Sequence, residues 1–220
     1  MIEAIVTGAV ATNCWIVPLD AGVAGRGTCA VIDPGGDAEA IIARLRRRSL
    51  RPALVLLTHG HFDHVAALPE LVEAFSSDGL GAPLVAIHAA DAAYLGPHSL
   101  SVHRRDFALV GAASYVDRYW RSMPPPGRFV QEGDRVGPFR VLHTPGHTPG
   151  SVSFLDESSR RLFSGDTLFA GGVGRTDLPG GDDEALGRSL ERLLALDGGI
   201  RVHPGHGDDT RIERERGAKI

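Results

Sequence analysis

Residues 53–57, Ala-Leu-Val-Leu-Leu, form a continuous apolar run of strand length with no polar alternation. A strand of this kind must be covered on both faces, which calls for a largely parallel sheet enclosed between other layers. The run stops at Thr58, and His59-Gly60-His61-Phe62-Asp63-His64 follows at once. Three imidazoles and a carboxylate thus stand at the end of a buried strand, the edge where α/β sheets assemble chemical groups.

The flanking sequence has the same rhythm. Residues 4–6, 13–19 and 28–32 are short apolar runs separated by Gly-containing breaks and read as hairpin strands. Asp33-Pro34-Gly35-Gly36 is a turn signal, with Asp37 as N-cap of a helix in which Ile41, Ile42 and Leu45 recur at helical spacing. Arg44 and Arg46 to Arg48 gather near its C-terminal end, where the helix dipole favours them. Helical spacing returns over 66–75 and a buried strand over 84–87, so strand and helix alternate as in an α/β layered domain. Residues 89–127 contain weak helical pieces, one around 112–121, without strong periodicity, and read as a lid or substrate loop. Strands follow at 139–143, 152–155 and 162–164. An amphipathic helix carries Leu186, Leu190, Leu193 and Leu194, and a last strand covers 200–202. No composition break divides the chain, so a single domain over 1–220 is expected.

Composition narrows the function. Lys plus Arg is 23, Asp plus Glu is 27 and the formal net charge is −4, without the basic footprint of a nucleic-acid binder. Two cysteines, Cys14 and Cys29, are too few for a disulfide framework and are expected to pack as small apolar residues. No run has the length of a membrane span, and Met1-Ile2-Glu3 lacks the start of a signal peptide, so a cytoplasmic protein is expected. Ten histidines against three tyrosines and two tryptophans are the compositional excess to be explained.

Side chains two apart in an extended segment share a face, so His59 and His61 can reach one metal ion. A turn toward the next helix would let Asp63 and His64 face a second. Nitrogen and oxygen donors without a thiolate suit zinc, and also iron or manganese. Three more candidates each follow an apolar strand. These are His147 in His143-Thr144-Pro145-Gly146-His147, Asp166 after Ser164-Gly165, and His206 in His203-Pro204-Gly205-His206. Taken singly, each could be a structural residue in a turn; together with the first cluster they make a set of seven.

The arrangement resembles the metallo-β-lactamase superfamily, whose H-x-H-x-D-H motif is matched by His59, His61, Asp63 and His64. The resemblance implies a four-layer αβ/βα sandwich, two mixed β-sheets flanked by helices, with the site along one sheet edge. It further implies two divalent metal ions, zinc foremost. His59, His61 and His147 would hold the first, Asp63, His64 and His206 the second, and Asp166 would bridge them. An aspartate at 166 argues against a true β-lactamase. The run from Ser164 to Asp177 is similar to the glyoxalase II group and its relatives. About fourteen residues follow His206, so the C-terminal helical domain of the typical glyoxalase II is not expected. That enzyme has a lysine and a tyrosine where this chain reads Gly174-Arg175-Thr176-Asp177, which puts glutathione specificity in question.

The function implied is a metal-dependent thioester hydrolase acting on a small anionic thioester such as S-lactoylglutathione. Two cations roughly 3.5–4 Å apart hold a water and lower its pKa toward about 7, and the resulting bridging hydroxide attacks the carbonyl. Asp63 would orient it, and Thr58 and Ser164 are candidates for fixing the imidazoles. Arg175 could bind a substrate carboxylate, or equally pair with Asp177 or Asp182. His103, Arg104 and Arg105 read as a solvated face, and His88, His98, His143 and His203 as structural, the last two close enough to ligands to support them. Two other reactions use similar ligands. A persulfide dioxygenase would use one iron on His59, His147 and Asp166; a lactonase would need Tyr94, Tyr115 or Tyr119 beside the metals.

Overall fold

The alternation of side chains along single strands sorts the molecule into layers. On β2 (Thr12–Pro18), Cys14 and Ile16 enter one apolar cluster while Trp15 and Val17 enter another, as side chains on opposite faces of a strand must. The same division holds on β3 (Thr28–Ile32), with Cys29 and Val31 on one side and Ala30 and Ile32 on the other. The structure, a computed structural model, describes residues 1–19, 27–76 and 81–217.

β1 (Glu3–Thr7), β2, β3, β4 (Arg51–Leu56), β5 (Leu84–His88) and β6 (Arg128–Val130) form the first sheet in sequence order. β1 to β3 pair antiparallel, and β3 to β6 pair parallel. The second sheet contains β7 (Arg135–Val136), β8 (Phe139–His143), β9 (Val152–Asp156), β10 (Arg161–Gly165), β13 (Arg201–Pro204) and β14 (Thr210–Arg211). Its order is β14-β13-β10-β9-β8-β7, with only β10 and β13 parallel. A small hairpin, β11 (Leu168–Phe169) and β12 (Gly172–Val173), projects beyond β10.

Between the sheets lie Trp15, Ile32, Leu56, Phe139, Phe154 and Phe163, the three phenylalanines meeting edge to face. Outside the first sheet pack α1 (Ala38–Arg47), the single turn α2 (Phe62–Val65), α3 (Leu68–Ser76), α4 (Leu100–Leu109) and α5 (Ala113–Tyr119). Outside the second lie α6 (Asp183–Leu194) and α7 (Ile212–Glu215), with Leu186, Leu190, Leu193 and Ile212 turned onto Leu142, Leu155, Leu162 and Val202. Three apolar layers thus separate four layers of backbone, the expected αβ/βα sandwich. Asp182 caps α6, accepting from the Ala185 N–H at 2.9 Å.

Three expectations need correction in whole or in part. Over 89–127 the helical piece expected at 112–121 is present as α5, but the remainder is not a loop. A 3₁₀ turn (Ala89–Tyr94), α4 and α5 fill most of the segment. The buried face of α4 is His103, Asp106 and Phe107, so two polar residues interrupt the apolar period by which a helix is recognised. For the same reason His103 is not on a solvated face. It is fully buried and donates from Nε2 to the Tyr94 carbonyl at 2.9 Å, while Arg104 and Arg105 pair with Asp117 and Asp106. Asp37 does stand at the N-cap of α1, its carbonyl accepting from Ala40 N at 2.9 Å and Ile41 N at 3.2 Å, but its side chain caps no amide; with φ at 49° the carboxylate accepts instead from the Gly8 N–H at 2.8 Å. Cys14 and Cys29 are buried free thiols, and burial pushes both upward, Cys29 to about 12.

Candidate metal centre

The loops at one edge of both sheets are sewn together through the backbone. The Thr58 carbonyl accepts from Val152 N at 2.8 Å, Gly165 O from Gly205 N at 2.9 Å, and Gly205 O from Asn13 N at 2.7 Å. These bonds join the ends of β4, β9, β10, β13 and β2, and the seven polar residues predicted from sequence meet there. His59 and His61 lie on the loop after β4, Asp63 and His64 on α2, His147 between β8 and β9, Asp166 after β10, and His206 after β13.

Three overlapping triads result: His59, His61 and His147; His59, His64 and Asp166; Asp63, His64 and His206. Within each, one donor atom per residue lies within 4.8 Å of the others. His61 Nδ1 is 2.9 Å from His147 Nε2, and His64 Nε2 is 3.3 Å from His206 Nε2. At each contact two ring nitrogens face one another where a cation could stand. His64 Nε2 also lies 3.5 Å from Asp63 Oδ2 and 3.4 Å from Asp166 Oδ1, and His206 Nε2 lies 3.4 Å from both carboxylates.

A layer of acceptors fixes which nitrogen each ring presents. His59 Nδ1 donates to Thr58 Oγ1 at 3.1 Å, and that hydroxyl donates to Asp33 Oδ2 at 2.6 Å. Asp33 Oδ2 also receives His64 Nδ1 at 3.0 Å, while Oδ1 accepts the Thr58 N–H at 2.8 Å. His147 Nδ1 donates to the Arg175 carbonyl at 2.7 Å and His206 Nδ1 to the Val10 carbonyl at 3.2 Å. With Nδ1 occupied, four of these rings keep Nε2 for the cluster, the device by which ligating histidines are oriented. Thr58 therefore acts as expected. Ser164 does not, because its hydroxyl donates to the Leu168 carbonyl.

Electrostatics separate the rings. Burial, followed by the neighbouring imidazoles, holds His59 far below the usual histidine range and brings His61 to about 3. Burial also opposes charge on His64 and His206, but the carboxylates outweigh it. Asp166, Asp63 and Asp33 hold His64 well above its ordinary value, and Asp166 with Asp63 brings His206 to about 9. The same attraction overcomes burial at the acids, bringing Asp63 to about 2 and Asp166 well below the carboxylate range.

The donor set fits divalent cations. His59 Nε2, His61 Nε2 and Asp166 Oδ1 are buried without a hydrogen-bond partner, a costly state that a cation relieves. Space is kept for it too: a Cβ on Gly205 would sit 2.2 Å from Asp166 Oδ1 and 2.7 Å from His64 Cε1.

Two supporting residues, Asp33 and Asp91, were not among the sequence candidates. Asp33 was legible only as a turn residue. Asp91 lies in the aperiodic segment and accepts from Gly60 N, Thr148 Oγ1 and Gly150 N at 2.8–2.9 Å, joining the loops of His61 and His147. Tyr94, named above for a lactonase, packs its ring at right angles to His61, but its hydroxyl donates to Asp106 at 2.6 Å. Arg175 does reach the cavity over the cluster, with Nε and Nη2 bound to Asp177 at 2.6 and 2.8 Å. His143 stacks on His88, and His203 pairs with Asp209 between Trp15 and Phe163; neither touches a cluster ring.

The family model for the metallo-β-lactamase superfamily matches residues 7–206. Hydroxyacylglutathione hydrolase GloC of Haemophilus influenzae is 36% identical over 220 residues, 98% of this chain and 94% of that protein. Among solved structures, BLEG-1 B3 metallo-β-lactamase superposes with a TM-score of 0.82 at 35% identity, covering 98% of this chain and 96% of its own. TTHA1623 in a di-iron-bound form gives 0.77 at 38% identity, with 98% of each chain covered. The chain belongs to the metallo-β-lactamase superfamily and is a metal-dependent hydrolase.

Proposed function

We propose that this protein hydrolyses a thioester, with glutathione thioesters such as S-lactoylglutathione as the first candidates, using two divalent metal ions held by its seven His and Asp residues. The observation that carries this reading is the convergence of those donors in three overlapping triads, with their outer nitrogens engaged by acceptors. His59, His61 and His147 would hold one ion and Asp63, His64 and His206 the other, with Asp166, whose Oδ2 lies 3.7 Å from His147 Nε2 and 3.4 Å from His206 Nε2, shared between them. When bound, such ions supply Lewis acidity toward a carbonyl oxygen and an acidified water.

The chain's own groups do the rest. Asp63 is ionised, receives the Thr12 hydroxyl at 3.2 Å, and presents an acceptor oxygen that can orient an attacking water by taking its hydrogen bond. Water adds to the thioester carbonyl, a C–O bond forms and the C–S bond breaks, giving a carboxylate and a thiol. A thiolate leaves readily, so no strong general acid is needed. Arg175 could hold a substrate carboxylate by exchanging it for Asp177. The GloC relative supports the glutathione thioester, and the di-iron neighbour supports two metals while admitting iron beside zinc.

Metal analysis of the purified protein beside a substrate panel tests the reading. Two metals per chain with S-lactoylglutathione hydrolysis is the expected result. One iron with oxygen consumption on glutathione persulfide would replace it with the dioxygenase. Because of the lactamase neighbour, a β-lactam belongs in the panel, and preferential turnover of it would overturn the thioesterase.

A further inference from the structure

Above the cluster lies a cavity of about 380 Å³ whose floor is the His and Asp donors. Its walls are apolar: Val10 from the β1–β2 turn, Phe107 and Val110 from the end of α4, Phe169 and Val173 from the β11–β12 hairpin, and Leu178. Among the described residues, two charged side chains other than the cluster line it, and both are already engaged within the chain. Asp106 is buried and accepts from Tyr94 Oη at 2.6 Å and Arg105 Nε at 2.7 Å. Arg175 spends two donors on Asp177.

The apolar character continues to the rim, where Val10 and Val110 are 50% and 42% exposed. Apolar side chains left open beside a polar floor mark a surface that gains by being covered. The hairpin wall is also held in place from behind, because the buried Glu215 of α7 accepts the Gly171 N–H at 2.8 Å. A preformed apolar wall beside a few fixed polar groups is the usual construction of a small-molecule site.

Resting on the thioesterase reading, we infer that the preferred substrate carries an apolar alkyl or aryl group next to the scissile C–S bond, covered by Val10, Phe107, Val110 and Phe169. A short hydroxylated three-carbon acyl group such as lactoyl would leave most of this wall wet. The apolar group can stand on the acyl side or on the thiol side, and two substrate series distinguish these.

The metal-loaded protein is assayed with acetyl to octanoyl thioesters of one small neutral thiol, and with acetyl thioesters of thiols of increasing chain length. Covering one methylene is worth about 0.8 kcal/mol, so kcat/KM should rise about two- to fourfold per carbon in one series until the wall is filled. Val110→Ser, at an exposed position that does not endanger folding, should flatten that dependence. Calorimetric binding of acetate to octanoate gives a readout without turnover, and affinity should climb in parallel. Chain-length independence in both series, or S-lactoylglutathione outpacing every alkyl thioester, overturns the inference while leaving the thioesterase intact. No turnover of any thioester overturns the thioesterase itself, and this inference with it.

Discussion

Asp33→Asn tests the layer of acceptors behind the candidate metal centre with one atom exchanged. Asp33 sits at φ 52°, a left-handed conformation that asparagine tolerates, so the backbone is not the variable. Its Oδ1 accepts the Thr58 backbone N–H, a donor that cannot reverse, so the asparagine oxygen must take that place. The amide NH₂ then stands where Oδ2 met the Thr58 hydroxyl and His64 Nδ1. His64 Nδ1 must become an acceptor, which moves the ring proton to Nε2, the nitrogen aimed at Asp63, Asp166 and His206. The Thr58 hydroxyl, turned from donor to acceptor on that side, is free to donate to His59 Nδ1 and bias a second ring the same way.

Loss of one such partner lowers metal affinity about 10–100-fold, and two rings turned together approach the product of two such factors. The assay is a competition titration against a chelator of known affinity, with circular dichroism to verify the fold. Affinity weakened by at least about tenfold is the expected result. A variant that folds and binds metal within about threefold of the parent would show that Asp33 does not set these tautomers.

Gly205→Ala places a methyl 2.2 Å from Asp166 Oδ1; metal content should fall below stoichiometric, and melting should show about 1–3 kcal/mol of overpacking cost. His103 is fully buried with its pKa lowered by burial from 6.5 to about 4. The unfolded chain therefore takes up this proton first as pH falls, and up to about 3 kcal/mol of stability is lost between pH 6.5 and 4. His103→Gln should show a shallower loss in denaturant titrations across that window, and an unchanged slope would contradict the assignment. Phe154→Ala empties a fully buried site between the two sheets and should cost about 3–5 kcal/mol in chemical denaturation. Arg175→Ala removes an exposed pair with Asp177 and should change stability by less than about 1 kcal/mol, so an effect on kcat/KM would report substrate contact.

The layers were legible because most strands are short apolar runs closed by turn residues, and because β4 reads as buried on both faces before its histidines begin. The seven clustered residues stood out for a related reason: each interrupts the sequence just beyond an apolar run, where a strand end exposes it. Legibility failed where polar groups do interior work. α4 turns His103 and Asp106 inward, which hides its period, and Asp91 satisfies three buried donors from a segment with no pattern. Asp33 ends β3 beside the end of β4, yet adjacency in a sheet is visible only once the sheet exists. Ser164 shows the opposite error, a plausible neighbour whose hydroxyl is spent on a local carbonyl.

The backbone stitching between strand ends has a consequence for how the chain comes apart. His61 and His147 are 86 residues apart in sequence, and His64 and His206 are 142 apart. Cations held between them would fasten the first sheet to the second across very long loops, as a detachable staple does. In the chain-entropy model a crosslink closing about 100 residues restrains the unfolded ensemble by about 4–5 kcal/mol, and longer loops add only slightly more. For a chain whose two cysteines are both free, the supply of metal would then set not only its chemistry but its lifetime against unfolding and proteolysis.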